Sequence, residues 1–386
     1  MDFSHILTEP YTLVLTCVLA VSFILLAIFY GLFDFKVGRF RRRAVKTTSA
    51  QADNENLPPV SVVLVAQNDG EWLRSNLLYL LEQDYPDFEV VVVNYVSSDD
   101  TKFVLQVLSE NYKRLKVVTF QENVSGYQGK KYPLSIGIRS AKNDILLFTE
   151  PDCVPNDLQN YTWIREMVAG YVHEHVDIVL GFSGIQYKPT LLNWLQQYDN
   201  MTYSVEYLGA SILNRPFSGN GRNLSYRRSL FLSNNGFIYH YYEPYGADDM
   251  FVNQNSRRYN TSQVLTPNSF TMTQPQASLG QWRQHRKIRT STHKYYFFGL
   301  KIFRLIRPLA VVLFYLSAAL LLAAGTFPWE ILALLLVLKL AWQIVSSLKA
   351  AKRLQVNPVV AWLSPLMEIY FLISNTILSF SPLNSK

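Results

Sequence analysis

The chain has 386 residues, 49% of them hydrophobic, and a formal net charge of +7. This length allows one large domain or two ordinary ones. The two cysteines are Cys17, inside an apolar run, and Cys153, just after a pair of carboxylates. We predict no disulfide between them, as expected for a protein of a reducing compartment.

Apolar segments at both ends of the chain predict membrane helices. Residues 10–33 carry no charge and are long enough to cross about 30 Å of hydrocarbon as a helix. A signal peptide would have positive charges before the apolar run, whereas in this chain they follow it. We predict three more spans at 308–329, 331–348 and 358–380, although a buried hairpin or an interfacial helix is an alternative for the last.

Basic clusters border these segments and predict the topology. They lie at 36–46, at 283–307 and at 349–353. Positively charged loops remain cytoplasmic, so one crossing at residues 1–46 and three at 301–386 would leave the middle region in the cytoplasm. We therefore interpret the net charge as membrane topology and contact with anionic membrane lipids. Nucleic-acid binding is disfavoured because the clusters adjoin the spans.

The middle region, residues 58–300, alternates between strands and helices after a polar linker at 47–57. The pattern predicts strands at 60–66, 88–96, 115–120, 143–150 and 177–185, and helices at 71–83, 99–112, 131–141 and 191–210. This alternation indicates an α/β fold with a mostly parallel, Rossmann-like sheet and helices on both faces. Ligands of such sheets bind beyond the carboxyl ends of the strands.

Two carboxylates, Glu150 and Asp152, stand at such a strand end. In an extended chain, positions i and i+2 face the same way. Two converging carboxylates suit Mg²⁺ or Mn²⁺, which complete their coordination with substrate phosphates. An ordinary acidic turn is the alternative, since Glu-Pro-Asp favours turns.

Three further segments carry candidate chemistry. Gly129-Lys130-Lys131 opens a predicted helix and forms either an anion site or a solvated basic turn. Asp248 and Asp249 in YGADDMF include either a general base or a helix N-cap. The segment QWRQHRKIR (281–289) predicts phosphate or saccharide contacts, a juxtamembrane amphipathic helix, or both.

Together, these pieces resemble the membrane-bound family 2 glycosyltransferases with a GT-A catalytic domain, over about residues 58–290. The segments that carry the resemblance are PPVSVVLVAQNDGEWL, VVVNYVSSDDT, GKKYPLSIGIRSAKNDILLFTEPDC, GNGRNLSYRRSLFLSNNGF, GADDMF and QHRKI. Three departures stand out. Glu150 replaces the first Asp of the family's DxD motif, Asn94-Tyr95 replace its Asp-Asp, and Lys287-Ile288 replace the Arg-Trp of Gln-x-x-Arg-Trp.

The resemblance implies a role for each matching residue. Asp152 and Glu150 would hold Mg²⁺ or Mn²⁺, Asp249 would be the base, and Asp248 would hold the loop or orient the acceptor. Asn223 and Tyr226 would lie on the acceptor side. The donor-binding residues would be Gln67, Asn68, Asp99, Lys130, Lys131, Gln284 and Arg286.

The activity that the resemblance implies is inverting transfer of a sugar from a nucleotide-sugar donor, UDP- or GDP-linked. The acceptor would be a hydroxyl of a lipid, a lipid-linked saccharide or a growing glycan. The enzyme would sit in the inner or plasma membrane with its catalytic domain in the cytoplasm. The incomplete Gln-x-x-Arg-Trp match favours a lipid or lipid-linked acceptor over processive synthesis.

Two other classes of function compete with this hypothesis. One is a catalytically silent membrane scaffold of the same fold. The loss of Asp-Asp at 94–95 favours it, and the retention of Asp152 and Asp249 argues against it. The other is a transporter that uses Lys339 and Glu368 as intramembrane charges. Four spans around a large α/β domain make a transporter the weaker alternative.

Overall fold

A computed structural model describes residues 10–40, 57–120, 129–171 and 173–380. The predicted linker, apart from Leu57, and the basic residues at 41–46 lie outside these ranges. The chain divides into two compact units, residues 40–292 and residues 1–39 together with 293–386. Both cysteines are free.

Ten strands and fourteen α-helices occupy the described residues. The strands are β1 (Val60–Ala66), β2 (Phe88–Tyr95), β3 (Leu115–Phe120), β4 (Ile145–Phe148), β5 (Cys153–Pro155), β6 (Ile178–Leu180), β7 (Ser183–Ile185), β8 (Leu224–Arg227), β9 (Thr261–Gln263) and β10 (Thr271–Thr273). The α-helices are α1 (Pro10–Phe29), α2 (Lys36–Arg39), α3 (Gly70–Leu81), α4 (Thr101–Asn111), α5 (Lys131–Ser140), α6 (Trp163–Val168), α7 (Leu191–Ile212), α8 (Arg228–Ser233), α9 (Asp249–Asn255), α10 (Leu279–Ser291), α11 (Phe298–Ala324), α12 (Trp329–Arg353), α13 (Pro358–Trp362) and α14 (Ser364–Phe380). A π-helix, Tyr30–Phe35, joins α1 to α2, and short 3-10 helices cover Ile238–His240, Pro267–Ser269 and Thr292–Tyr295.

The large sheet confirms the predicted α/β class. Its strand order is β3-β2-β1-β4-β8-β6-β9. The pairs among β3, β2, β1 and β4 are parallel, with Val60 aligned to both Phe88 and Ile145, whereas β8 runs antiparallel to β4 and β6. Every residue of β1 and β2 is buried. This burial explains why neither strand alternates between apolar and polar residues and why β2 has four consecutive valines, at 90–93.

β5, β10 and β7 form a separate small sheet, in the order β5-β10-β7. It arises because the segment predicted as one strand at 177–185 is divided into β6 and β7, which belong to different sheets. The break falls at Gly181, where an added Cβ would lie 2.6 Å from the Asn223 side chain. Glu150 and Asp152 connect β4 of the large sheet to β5 of the small one.

In the other unit, three helices among the described residues are long and apolar enough to cross a membrane: Pro10–Arg39, Phe298–Ala324 and Trp329–Arg353. The second begins earlier than the predicted 308–329, so Pro308 lies inside it. The long aliphatic stems of lysine and arginine allow a helix to continue beyond its apolar core, which explains the difference.

The segment expected as a last span, 358–380, differs from the prediction. It is divided at Leu363 into α13 and α14, and α14 has only 17 residues. Its Glu368 is buried and accepts hydrogen bonds from Tyr30 Oη (2.8 Å) and Lys339 Nζ (2.8 Å). The two charges that a transporter would use therefore pair with each other, which gives them a structural role.

Candidate active site

A cavity of about 450 Å³ in the unit of residues 40–292 opens at the carboxyl ends of β1 and β4. Many of its lining side chains are charged or polar. They include Lys130, Glu150, Arg222, Asp248, Asp249, His285, Arg289 and Thr292. The position is the one that the parallel sheet predicts for a ligand site.

The acidic pair is bound by cations. Glu150 lines the cavity, whereas Asp152 is not part of its wall. Lys130 Nζ lies 3.2 Å from Glu150 Oε1. The Arg222 guanidinium bridges both carboxylates, with Nε 3.0 Å from Glu150 Oε2 and Nη2 3.2 Å from Asp152 Oδ2. Thr273 Oγ1 also donates to Asp152 Oδ2, at 2.6 Å. The two carboxylates thus converge as predicted, around an arginine that was not predicted to lie there.

The charges of this cluster support one another. Burial alone would raise the pKa of Glu150, but Lys130 and Arg222 hold it well below its usual range. Glu150 in turn raises the pKa of Lys130. Burial alone would lower the pKa of Arg222, but Asp152 and Glu150 raise it above its usual value. Glu150, Lys130 and Arg222 are therefore ionised at neutral pH.

The Asp248-Asp249 pair lies at the start of α9. Asp249 Oδ2 accepts from Thr292 Oγ1 at 2.5 Å, and its Oδ1 accepts from the Met250 amide at 2.8 Å. Asp248 Oδ2 accepts from the Gly221 amide at 2.8 Å. The two adjacent aspartates thus differ in their contacts, since Asp248 fastens the loop before β8 and Asp249 is held against the end of α10.

The two lysines of the Gly-Lys-Lys segment separate. Lys130 lines the cavity, whereas Lys131 is buried and donates to the His240 carbonyl at 2.7 Å. Burial lowers the pKa of Lys131 to about 8. Gly129 has φ +81°, and an added Cβ would lie 2.0 Å from the Pro244 carbonyl oxygen, so only glycine suits this turn.

The predicted donor residues near β1 and β2 hold two loops together. Asn68, at φ 58°, receives a hydrogen bond from the Ser98 amide at 2.7 Å. Asp99 Oδ2 accepts from the Gly70 amide at 3.0 Å. Gln67 is exposed, and its backbone N–H donates to Asp69 Oδ2. These residues follow the carboxyl ends of their strands but are not part of the cavity wall.

The predicted acceptor-side residues differ in position. Tyr226 lines the cavity, and its ring packs against Phe148 and Phe251, with centroid separations of 4.3 and 4.4 Å. Asn223 is buried, and its amide donates to the carbonyls of Phe182 (2.8 Å) and Ser269 (2.7 Å). Asn223 therefore anchors the loop instead of facing the cavity.

Helix α10 presents different residues from those predicted. Gln284 is exposed and outside the cavity wall, and Arg286 is buried, with Nε 3.4 Å from Asp199 Oδ1. His285, Ile288, Arg289 and Thr292 line the cavity instead. Each of these four residues lies three or four positions from two of the others, so helical spacing from Thr292 would have predicted that they share the side of the helix that faces the cavity.

The chemistry of the acidic pair tests whether a divalent ion fits. Among the described residues no group of three or more His, Cys, Asp or Glu side chains could hold a metal ion. Two carboxylates are enough for Mg²⁺ or Mn²⁺ when a diphosphate supplies further oxygens. The donor set fits an ion on that condition, with Arg222 already bound to both carboxylates.

The fold and the site together define an α/β protein with a polar cavity at the strand ends. Residues 61–239, slightly less than half of the chain, match the family model described as Glycosyl transferase family 2. Glycosyltransferase AglE of Haloferax volcanii is 29% identical over 148 residues, covering 38% of this chain and 46% of that protein. A GalNAc(5)-diNAcBac-PP-undecaprenol beta-1,3-glucosyltransferase of Campylobacter jejuni is 28% identical over 117 residues, covering 30% of this chain and 37% of that protein. The chain spans less than half the length of these curated relatives.

Among solved structures, the mannosyltransferase PcManGT from Pyrobaculum calidifontis, in complex with GDP-Man and Mn²⁺, aligns with a TM-score of 0.56. The alignment is 20% identical and covers 94% of this chain and 96% of that chain. At this identity the likeness shows the fold, a mixed α/β domain of the GT-A type. The family match and the named relatives support the predicted class of enzyme, a glycosyltransferase.

Proposed function

We propose that this protein is a membrane-anchored, inverting glycosyltransferase. It moves a sugar from a UDP- or GDP-linked donor to a hydroxyl of a lipid, a lipid-linked saccharide or a growing glycan. The observation that carries the proposal is the cavity that brings Lys130, Glu150 and Asp249 together, with Asp152 joined to Glu150 through Arg222. Lys130, Arg222 and Glu150 lie at its donor end, Asp152 pairs with Arg222 beside it, and the base, Asp249, is held by Thr292.

At the donor end, Lys130 and Arg222 bind the diphosphate and stabilise the negative charge that grows on it as the sugar departs. When bound to Asp152 and Glu150, Mg²⁺ or Mn²⁺ supplies Lewis-acid stabilisation of the same charge. The Mn²⁺ in the PcManGT complex supports a divalent ion. Lys130 and Arg222 are both cationic at neutral pH, since pairing with the acidic residues raises the pKa of each.

At the acceptor end, Asp249 removes the proton of the attacking hydroxyl. The hydroxyl oxygen then forms a bond to the anomeric carbon. The bond from that carbon to the phosphate oxygen breaks, and its electron pair leaves with the diphosphate. Attack from the face opposite the leaving group inverts the anomeric centre in one step. Thr292 and the Met250 amide fix both carboxylate oxygens of Asp249.

In this proposal, the three apolar helices anchor the protein in the membrane. The positive-inside rule applied to the basic clusters supports a cytoplasmic catalytic unit, where nucleotide sugars are available. The Campylobacter relative is named for an undecaprenol-diphosphate acceptor, which supports a lipid-linked acceptor for this protein. We therefore favour single transfer to a lipid or lipid-linked saccharide.

The test is a screen of the purified, membrane-reconstituted chain against nucleotide sugars with Mn²⁺, followed by release of nucleoside diphosphate. At least one donor should be turned over, and Asp152→Asn should abolish most of that turnover. Asp87→Asn is the matched control, because Asp87 is exposed and pairs only with Lys142 among the described ion pairs, at 3.3 Å. If no donor in a broad panel releases diphosphate in the presence of membrane lipids, the proposed function is wrong.

A further inference from the structure

The contacts of Arg222 differ from those of Lys130, the other cation bound to the acidic pair. Arg222 bridges both members of the acidic pair, and its side chain is only 16% exposed. Lys130, by contrast, pairs with Glu150 alone among the described ion pairs and is 56% exposed. A planar guanidinium binds carboxylates and phosphates through the same parallel donors, so Arg222 is suited to either partner.

All four oxygens of the acidic pair already accept a donor. Lys130 and Arg222 each bind one oxygen of Glu150. On Asp152, Oδ2 accepts from Arg222 and Thr273, and Cys153 Sγ lies 3.4 Å from Oδ1. Two positive and two negative side chains leave the cluster without net charge. A divalent ion arriving alone would add a charge of two to this partly exposed cluster and meet the repulsion of both cations.

The backbone around Arg222 is fastened, so only its side chain is free to change partners. On one side, the Gly221 amide is bound to Asp248. On the other, Asn223 is anchored by its two carbonyl contacts, and the Arg222 carbonyl itself accepts from Thr271 Oγ1 at 2.9 Å. The guanidinium thus extends from a fixed backbone, with the cavity as the space into which it can turn.

We propose that Arg222 blocks the acidic pair against a divalent ion until a nucleoside diphosphate arrives, and that its guanidinium then moves from the carboxylates to the diphosphate. This inference rests on the proposed function. Its consequence is that a divalent ion and a nucleoside diphosphate each bind weakly alone and strengthen each other's binding. Such coupling is reciprocal, and factors of about 5–150 are typical.

The experiment measures Mn²⁺ binding to the full chain in detergent or nanodiscs, through the electron paramagnetic resonance signal of free Mn²⁺. Titrations are made without nucleotide, with UDP and with GDP, and the Mn²⁺ that each nucleotide binds in the absence of protein is subtracted. For the wild type we expect one of these nucleotides to raise the Mn²⁺ affinity by about tenfold or more. Arg222→Gln should bind Mn²⁺ alone about tenfold more tightly than the wild type, and the nucleotide should then add less than about threefold.

Two further variants control the measurement. Arg222→Lys keeps a cation at the site and should retain weak binding of Mn²⁺ alone. Arg227→Gln removes an arginine from the adjacent strand, where it pairs with Asp144 and Asp177, and should bind Mn²⁺ as the wild type does. Circular dichroism establishes that each variant is folded.

The proposal is overturned if folded Arg222→Gln binds Mn²⁺ alone no more tightly than the wild type. It is equally overturned if the wild type binds Mn²⁺ as tightly without either nucleotide as with it, which needs no variant to fold. Tighter Mn²⁺ binding by Arg222→Gln in a protein that turns over no nucleotide sugar would retain the role of Arg222 as a block and contradict the proposed function. The two failures are thus distinguishable.

Discussion

Replacing Asp249 by asparagine tests the chemistry with little change in shape. Asp249 is only 6% exposed and accepts hydrogen bonds from Thr292 and the Met250 amide. Asparagine keeps one acceptor oxygen for the amide, and the Thr292 hydroxyl can rotate to accept from the new NH₂ group. Replacing a charged acceptor by a neutral one should lower the free energy of unfolding by about 1 kcal/mol, so the fold should persist.

The expected effect on the rate is much larger. A general base contributes about 10²–10⁴-fold, which corresponds to about 2.7–5.4 kcal/mol of barrier. Asp249→Asn should lower the turnover number by this factor. The affinity for nucleoside diphosphate should change by less than about threefold, because Lys130 and Arg222, the groups proposed to bind it, pair with Glu150 and Asp152 and not with Asp249.

The measurement pairs initial rates of diphosphate release with calorimetric titration of the nucleotide. Asp248→Asn is the matched control on the neighbouring residue. It keeps an oxygen for the Gly221 amide, so we expect a loss of less than about tenfold. Turnover of Asp249→Asn within about tenfold of the wild type would refute the assignment of the base, given what a general base contributes. Equal losses in the two variants would show that the loop, and not one carboxylate, is what matters.

Three other outcomes follow from the described contacts. Burial, and then two neighbouring arginines, lower the pKa of His285 from 6.5 to about 4. The unfolded chain therefore binds this proton more readily, so the stability of the fold should decrease as the pH falls from about 6.5 to 4. His285→Gln should flatten that part of the dependence of the melting temperature on pH. Glu368→Gln leaves the Lys339 ammonium buried without its counter-charge and should lower the free energy of unfolding in detergent by about 3–5 kcal/mol. The double variant Lys339→Met with Glu368→Leu should recover most of this loss. Gly129→Ala should lower the melting temperature, because its Cβ would strike the Pro244 carbonyl; unchanged melting would contradict the strain argument.

The core of the sheet could be predicted because its signal is local. The runs at 60–66 and 115–120 are rich in apolar, β-branched residues, and both form strands with those bounds. The helices between the strands also form, with ends displaced by one or two residues. A continuous apolar run such as 60–66 predicts a strand that is buried on both faces, so this strand can be predicted without knowing its distant contacts.

The elements that were predicted less well depend on distant partners. At the break in 177–185, Gly181 packs against the side chain of Asn223, which is distant in sequence. In 358–380, Glu368 is buried against Tyr30 and Lys339 from other helices, although Pro365, two residues after the division at Leu363, is a local signal for it. Hydropathy records how apolar a segment is but not which charges will find partners inside the protein.

The site shows the same limit at the level of single residues. Sequence placed Gln284 and Arg286 at the donor because they occupy the positions of a family motif. Arg286 instead packs under the Trp282 ring, 5.0 Å from its centroid, and next to Asp199. This packing sets the rotation of α10 and turns His285 and Arg289 toward the cavity.

Arg222 shows most clearly why spacing alone could not define the acidic site. The pattern Glu-Pro-Asp predicts that two carboxylates converge, but not which cation neutralises them. The turn before β8 carries one of these cations, Arg222, while the preceding Gly221 amide donates to Asp248. Two consecutive residues of one turn therefore contact both acidic segments, Glu150 through a side chain and Asp248 through the backbone. A change of partner by Arg222 leaves the second contact in place, because the side chain can turn while the Gly221 amide remains bonded to Asp248.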